Sequence, residues 1–345
     1  MEEVTPLSQR KSDHIQINLQ ENVQSGLTTG LEDYQFIHRA VPELNLNEVD
    51  SSITIFGKYL SSPLLISSMT GGTKEAARIN QFLASAAQET QVAMGVGSQR
   101  IAIENPDLAD TFQVRTYAPD ILLFANLGAI QLNYGYGVEE CQRAIEMIEA
   151  DALILHFNCI QEAVQKKGET RFAGLLSKVE VICSAVPVPI IAKEVGWGFS
   201  KQDISLLLEA GVSAVDVAGA GGTSWSQVEM YRAEDEYQRN LSGAFIDWGI
   251  PTTEAIQNAL QTSPSLTIFA SGGLRSGVDI AKCIAMGASL GGMAGPFLKA
   301  ASQSVEDTIK MITLIKEEFN ICMFATGSES IDQLRQNKLV KKIAV

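Results

Sequence analysis

From residue 64 onward the chain repeats one unit: a short apolar run ends in Gly, Ser, Asn or Thr, and a stretch with helical spacing of apolar positions follows. The runs read as strands are 64–69 (LLISSM), 92–97 (VAMGVG), 121–127 (ILLFANL), 152–158 (ALILHFN), 189–195 (PIIAKEV), 214–219 (AVDVAG), 266–271 (LTIFAS) and 289–294 (SLGGMA). Runs so continuously apolar fit parallel strands covered on both faces. The intervening spacing predicts helices at 74–90, 138–149, 171–185, 200–210, 252–261, 276–286 and 297–319. Eight such units in one chain point to an α/β fold, a (β/α)8 TIM barrel. A doubly wound sheet would show fewer strands and an early glycine fingerprint. The nearest candidate, Gly219-Ala220-Gly221-Gly222-Thr223-Ser224, comes late and has Ser at the third glycine position.

Residues 1–63 precede the first strand. The pattern there predicts a helix near 31–36 and a hairpin from SITIF and GKYLSSP, so this part reads as an N-terminal arm and a barrel-floor hairpin. Residues 64–345 then form the barrel, and the whole is one domain. The longest loop runs from Gly219 to about Gly249, is polar and contains AEDEYQRN. Loops of this length usually cover a site or move.

Composition narrows the function classes. Of 345 residues, 46% are apolar, too many for a disordered polymer. The net charge of −14 repels nucleic acid and anionic lipid, so an anionic ligand must be captured by local cations or a metal. Five Cys without a C-x-x-C pair argue against a disulfide framework or a structural zinc, and fit a reducing compartment. The first residues hold no apolar signal core and no run is long enough to span a membrane, so the expected location is the cytoplasm.

In barrels of this type chemistry sits where strands end. Those ends carry Ser68-Met69-Thr70-Gly71-Gly72, Gly97-Ser98-Gln99-Arg100, Asn126-Leu127-Gly128, His156-Phe157-Asn158-Cys159-Ile160-Gln161-Glu162, Lys193-Glu194, Gly219 to Thr223, Ser271-Gly272-Gly273-Leu274-Arg275 and Ala294-Gly295. Small residues at the last two ends, each opening a helix, suit close approach of backbone N–H groups to a phosphate. Tight turns alone would also explain them. Lys193 lies inside an apolar strand, on the face opposite Ala192 and Glu194. A buried Lys needs an anion: a cofactor, a substrate or a salt bridge inside the barrel. A carboxylate such as Glu162 just past a strand can hold Mg²⁺, with phosphate oxygens completing the shell. His156 and Cys159 lack the further ligands of a soft-metal site. Arg10, Lys11 and His14 put three basic groups into five residues of the arm, a solvated tail or an anion clamp, and Arg100 is a fourth cation for such a role. No nucleophile motif or Walker motif is present. A phosphate cradle, a buried Lys and neutral amides without a nucleophile suggest that a bound cofactor carries the chemistry.

The strand-end motifs resemble those of the type 2 isopentenyl-diphosphate isomerases: RKSDH at 10–14, SSMTGG at 67–72, GVGSQR at 95–100, HFNCIQE at 156–162, KEVGWG at 193–198 and GAGGTSW at 219–225. WGIPT at 248–252, SGGLRSG at 271–277 and AGPFL at 294–298 extend the resemblance over essentially the whole chain. The SGG and AGP pieces occur in many flavin barrels, whereas the arm, the SQR turn and the H-x-N-x-x-Q-E segment are more specific.

The resemblance implies interconversion of isopentenyl and dimethylallyl diphosphate by proton addition and removal, in isoprenoid biosynthesis, with reduced FMN, Mg²⁺ and NADPH as reductant. It places FMN against Ser68, Met69, Thr70, Ser98, Asn126, Lys193 and Thr223, with its phosphate end at Gly273, Leu274, Arg275, Ala294 and Gly295. It gives the prenyl diphosphate to Arg10, Lys11, His14, Ser98, Gln99, Arg100, Asn158 and Gln161, Mg²⁺ to Glu162, and catalytic roles to Gln161, His156 and Lys193. It also implies a homo-oligomer, tetramer or octamer. Phe157 and Cys159 stand where the family often has Leu and Pro, and Glu169 where Asp is commoner. The alternatives are an FMN oxidoreductase sharing the phosphate site and a non-catalytic phosphate-ligand sensor.

Overall fold

The computed structural model describes residues 6–336 and 339–341. The outermost residues of the two spans 1–63 and 64–345 therefore lie outside the described residues.

Eight parallel strands close into a barrel: β1 (Leu64–Ile66), β2 (Ala93–Gly95), β3 (Leu123–Gly128), β4 (Ala152–Phe157), β5 (Ile190–Glu194), β6 (Ala214–Asp216), β7 (Thr267–Ala270) and β8 (Leu290–Met293). Each pairs with its sequence neighbours, and β8 returns to β1. The eight expected strands are thus the eight observed. Alternation along each strand sorts the side chains. Leu123, Leu153, Val215 and Ile268 pack outward against the helices, whereas Phe124, Ile154, Ile191, Ala214 and Phe269 fill the barrel.

The hairpin forms from Ile53–Ile55 and Lys58–Leu60. It packs Ile55 and Leu60 against Leu65, Leu122, Phe124 and Phe269 inside the barrel. This apolar plug fills the end where the strands begin. The opposite end is left for polar side chains.

Several segments depart from the expectations. The predicted helix near 31–36 is a single 3-10 turn, Leu31–Asp33, followed by a short strand, Tyr34–Phe36, that pairs antiparallel with Leu339–Lys341. The arm, for which the pattern assigned no element before residue 31, is helix α1 (Pro6–Gln20). The long polar loop after β6 contains two helices, α2 (Trp225–Arg232) and α3 (Glu236–Gly243). Asp235 caps α3 by accepting from Gln238 N at 2.8 Å. The predicted helix 297–319 is two, Gly295–Ala301 and Val305–Ala325. Ser304 starts the second by accepting from Asp307 N at 3.0 Å.

Candidate active site

The strand register builds a polar layer above the apolar plug. His156 pairs with Lys193 across β4 and β5, and Lys193 with Asp216 across β5 and β6. Asn126, one strand earlier, also projects inward: His156 Nδ1 lies 2.8 Å from Asn126 Oδ1. These side chains stand under a cavity of about 470 Å³ lined by strand ends, α1 and the start of α2.

The cavity lining brings together nearly all the residues singled out from the sequence. Ser68, Met69, Thr70, Ser98, Asn126, Lys193 and Thr223 line it, as do Gly273, Leu274, Arg275, Ala294 and Gly295. So do Arg10, Lys11, His14, Arg100, His156, Asn158, Gln161 and Glu162. Gln99 is the exception: its side chain does not line the cavity. Its side chain is fully buried outside the cavity, accepting from Asn126 N at 2.9 Å and donating to the Ala144 carbonyl at 2.8 Å. Both ends of the amide are spent on backbone, so the side chain braces the strand ends.

The cationic side is set by α1. Lys11 is half-buried and donates from Nζ to the Ser98 carbonyl at 2.8 Å. No carboxylate among the described residues pairs with it in an ion pair. Burial, then the neighbouring Arg10, pull its ammonium down to about 7. Burial also lowers the Arg10 guanidinium, which donates to Gln165 Oε1 at 3.0 Å. Arg100 is held by Glu169 through two bonds of 2.8 and 2.9 Å and by Glu104 at 2.7 Å. Gln131 donates to the same Glu169 at 2.8 Å. The longer Glu at 169 thus reaches Arg100 with both oxygens.

His14 lies 3.2 Å from Glu229 Oε1, and Arg232 donates to Glu229 Oε2 at 2.6 Å. Gln161 also donates to Glu229, at 3.1 Å. Burial pushes the Glu229 carboxyl up, but His14, Arg232 and Gln161 outweigh it and hold it at about 2. Glu229 therefore ties the arm helix, α2 and the β4 segment into one wall. Sequence reasoning missed it because it sits in the middle of a polar helix, with no strand end to mark it.

His156 is half-buried, and desolvation followed by repulsion from Lys11, Lys193 and Arg10 pulls its imidazole down to about 3. It is neutral near pH 7, and its Nδ1 proton faces Asn126 Oδ1. Asn158 and Glu162 share a bond of 2.9 Å, and Glu162 Oε2 accepts from Glu169 N at 2.7 Å.

The residues fit a bound flavin nucleotide on three observations. The hydroxyls of Ser67, Ser68 and Thr70 are buried in the cavity wall without hydrogen-bond partners. A Cβ built on Gly295 meets nothing within 4 Å, so the backbone there is open to a ligand. Gly222 and Gly273 pack so closely that a Cβ on Gly222 would lie 2.4 Å from Gly273 N, leaving backbone alone at that rim. Of the two helix starts expected to face a phosphate, one is already occupied: Gly277 N donates to Glu318 at 2.6 Å, and Asp279 accepts from Arg275 N at 3.0 Å. The turn before that helix and the Ala294-Gly295 end keep the exposure to the cavity.

The donor set also fits Mg²⁺ shared with a ligand. Glu162 is a cavity carboxylate, and Asn158 Oδ1 beside it is buried without a partner. Among the described residues no group of three or more His, Cys, Asp or Glu could form a protein-only cage. A divalent ion there needs oxygens from a bound phosphate.

Beyond the expected residues, the structure adds Ser67, Ser271, Glu229 and Trp225 to the cavity or its wall, and Asp216 behind Lys193. Alternation along AVDVAG was the available signal for Asp216.

Comparison with known proteins agrees with this geometry. Residues 153–341 match the family described as FMN-dependent dehydrogenase. The chain is 53% identical over 335 residues to an isopentenyl-diphosphate delta-isomerase of Nostoc sp., covering 97% of this chain and 96% of the relative. It is 48% identical over 330 residues to one from Rickettsia bellii, covering 96% of each. Among solved structures, a mandelate oxidase variant superposes with a TM-score of 0.69 over 99% of this chain and all of the other, at 17% identity. That likeness concerns the fold. The chain belongs to the isopentenyl-diphosphate delta-isomerase family, on the barrel of the FMN-dependent dehydrogenases.

Proposed function

We propose that this protein is an isomerase interconverting isopentenyl and dimethylallyl diphosphate, working with reduced FMN and Mg²⁺ and using NADPH to reduce the flavin. The observation that carries the reading is Lys11, a half-buried ammonium bonded to a carbonyl and, among the described residues, without a carboxylate in an ion pair, at the rim of a cavity that also holds Arg10 and Arg100. Such a cluster in a chain of net charge −14 is an anion receptor.

The reaction shifts a double bond without net redox change, and an isolated alkene is too weak a base for ordinary side-chain acids. When bound, reduced FMN supplies a ring that can give and recover the proton. The chain's own residues bind and orient. Arg10, Lys11, Ser98, Arg100 and Asn158 hold the diphosphate, and Glu162 shares Mg²⁺ with it. That remote anchoring positions the reacting carbons. Ser67, Ser68 and Thr70 offer hydroxyls to the cofactor, and the Gly273 to Arg275 and Ala294-Gly295 ends border its phosphate. Gln161, held by Glu229, and the neutral His156 present uncharged donors and acceptors near the substrate, so neither competes with the diphosphate for the cations. The arm helix and α2 keep water from the layer below.

The test is anaerobic incubation with isopentenyl diphosphate, Mg²⁺ and chemically reduced FMN. Dimethylallyl diphosphate formed with a catalytic amount of reductant is the expected result. Reductant or O₂ consumed once per product would make the protein an FMN oxidoreductase. Binding without turnover would make it a sensor.

A further inference from the structure

Three side chains from adjacent strands close a ring beneath the cavity. Lys193 Nζ lies 2.9 Å from Asp216 Oδ2 and donates to Ser271 Oγ at 3.3 Å. Ser271 in turn donates to Asp216 Oδ1 at 2.6 Å. Lys193 and Ser271 line the cavity, whereas Asp216 is 1% exposed and stands behind them. The same Asp216 oxygen accepts from Ala218 N at 3.3 Å, in the turn where Ala218 takes a left-handed φ of 35°.

The charged neighbours of Lys193 leave Asp216 as its counter-ion. His156 faces it from β4 and is neutral. Glu194 follows on the same strand, but its Oε2 accepts from the backbone N–H groups of Val195, Gly196 and Gly198. Lys11 and Arg10, which with Lys193 bear on His156, are basic groups and supply no anion. A buried ammonium without an anion tends to lose its proton.

We propose that Asp216 is the positioning residue of this site: its carboxylate keeps Lys193 a fixed ammonium facing the cavity, so that reduction of the bound cofactor requires no proton at that side chain. The inference rests on the flavin reading above. In Asp216→Asn the amide preserves shape and hydrogen bonding but removes the charge. Lys193 then sheds its proton while the ring is oxidised and neutral. When two electrons make the ring anionic, the Lys193 amine takes one proton from solvent. That extra proton changes the ratio of reduced to oxidised flavin a further tenfold per pH unit, equivalent to about 30 mV.

The experiment is anaerobic dithionite titration of the FMN-loaded full chain across neutral to mildly alkaline pH. The midpoint potential of Asp216→Asn should fall more steeply with pH than that of the parent chain. Asp216→Glu should keep the parent slope, and Asp216→Asn combined with Lys193→Met should lose the extra steepness. Equal slopes in the parent and Asp216→Asn overturn the proposal. If Asp216→Asn alone does not fold or hold FMN, thermal unfolding of the double variant decides. Recovery on removing both charges supports an obligate pair, and no recovery assigns Asp216 to backbone support at Ala218 and overturns the proposal. Failure of the parent chain to take up FMN is a separate result that overturns the proposed function, and this inference with it.

Discussion

His156 Nδ1 and Asn126 Oδ1 meet at 2.8 Å, and this contact orients a neutral imidazole among three cations. The imidazole is held at about 3 in the folded chain, below its ordinary 6.5. Between those values the unfolded chain binds the proton and the folded chain does not. Stability is therefore lost as pH falls from 6.5 toward 3, by up to about 1.4 kcal/mol per pH unit. Thermal unfolding across this range should show a shallower acid loss in His156→Gln. An unchanged profile would contradict the assignment.

Lys11 makes the opposite linkage with ligand. In the free protein its ammonium is held at about 7, so above that pH it is mostly neutral. A bound diphosphate restores the ordinary preference for charge. Binding of isopentenyl diphosphate at mildly alkaline pH should take up protons, measured by calorimetry in buffers of different ionisation enthalpy. Lys11→Met should bind more weakly and lose that uptake.

Glu162→Gln should weaken Mg²⁺ dependence and activity while FMN stays bound. Loss of flavin in that variant would contradict a metal role for the carboxylate, as would activity with an unchanged Mg²⁺ requirement.

Gly273 adopts a φ of +79°, and a Cβ on it would lie 2.3 Å from the Gly221 carbonyl oxygen. Gly273→Ala should push the two turns apart, costing on the order of 1–3 kcal/mol of stability and lowering flavin retention. Flavin fluorescence after gel filtration reads the second effect.

Glu229→Gln should release the arm. The side chain is 4% exposed and joins His14, Arg232 and Gln161. Removing its charge should cost roughly 1–3 kcal/mol and speed proteolysis within α1. An arm as resistant as in the parent would show that the bonds to Ser98 and Gln165 suffice.

The barrel was legible because strands covered on both faces have no polar alternation to obscure them, as in ILLFANL and ALILHFN. Much of the polar layer was legible for a related reason: His156 and Lys193 interrupt apolar strands on the inward parity. Asp216 has the same parity but was passed over, since nothing local shows that its partner is the Lys of the preceding strand. The arm helix was not legible. Its segment RKSDHIQINLQ carries little apolar surface, and it is fixed by long-range contacts of Lys11, His14 and Asp13 with Ser98, Glu229 and Arg232. Helices α2 and α3 are polar for the same reason. The break before Val305 was readable, because Ser304 and Asp307 have the spacing of a helix cap. The direction of the Gln99 side chain was not legible: its neighbours Ser98 and Arg100 face the cavity while its own amide turns to the backbone.

The stopper made by Ile55 and Leu60 gives the barrel a dead end. Traffic is confined to the rim that α1 overlies, so a molecule arriving or departing must negotiate the same threshold twice per cycle. Turnover in this protein should accordingly slow with solvent viscosity.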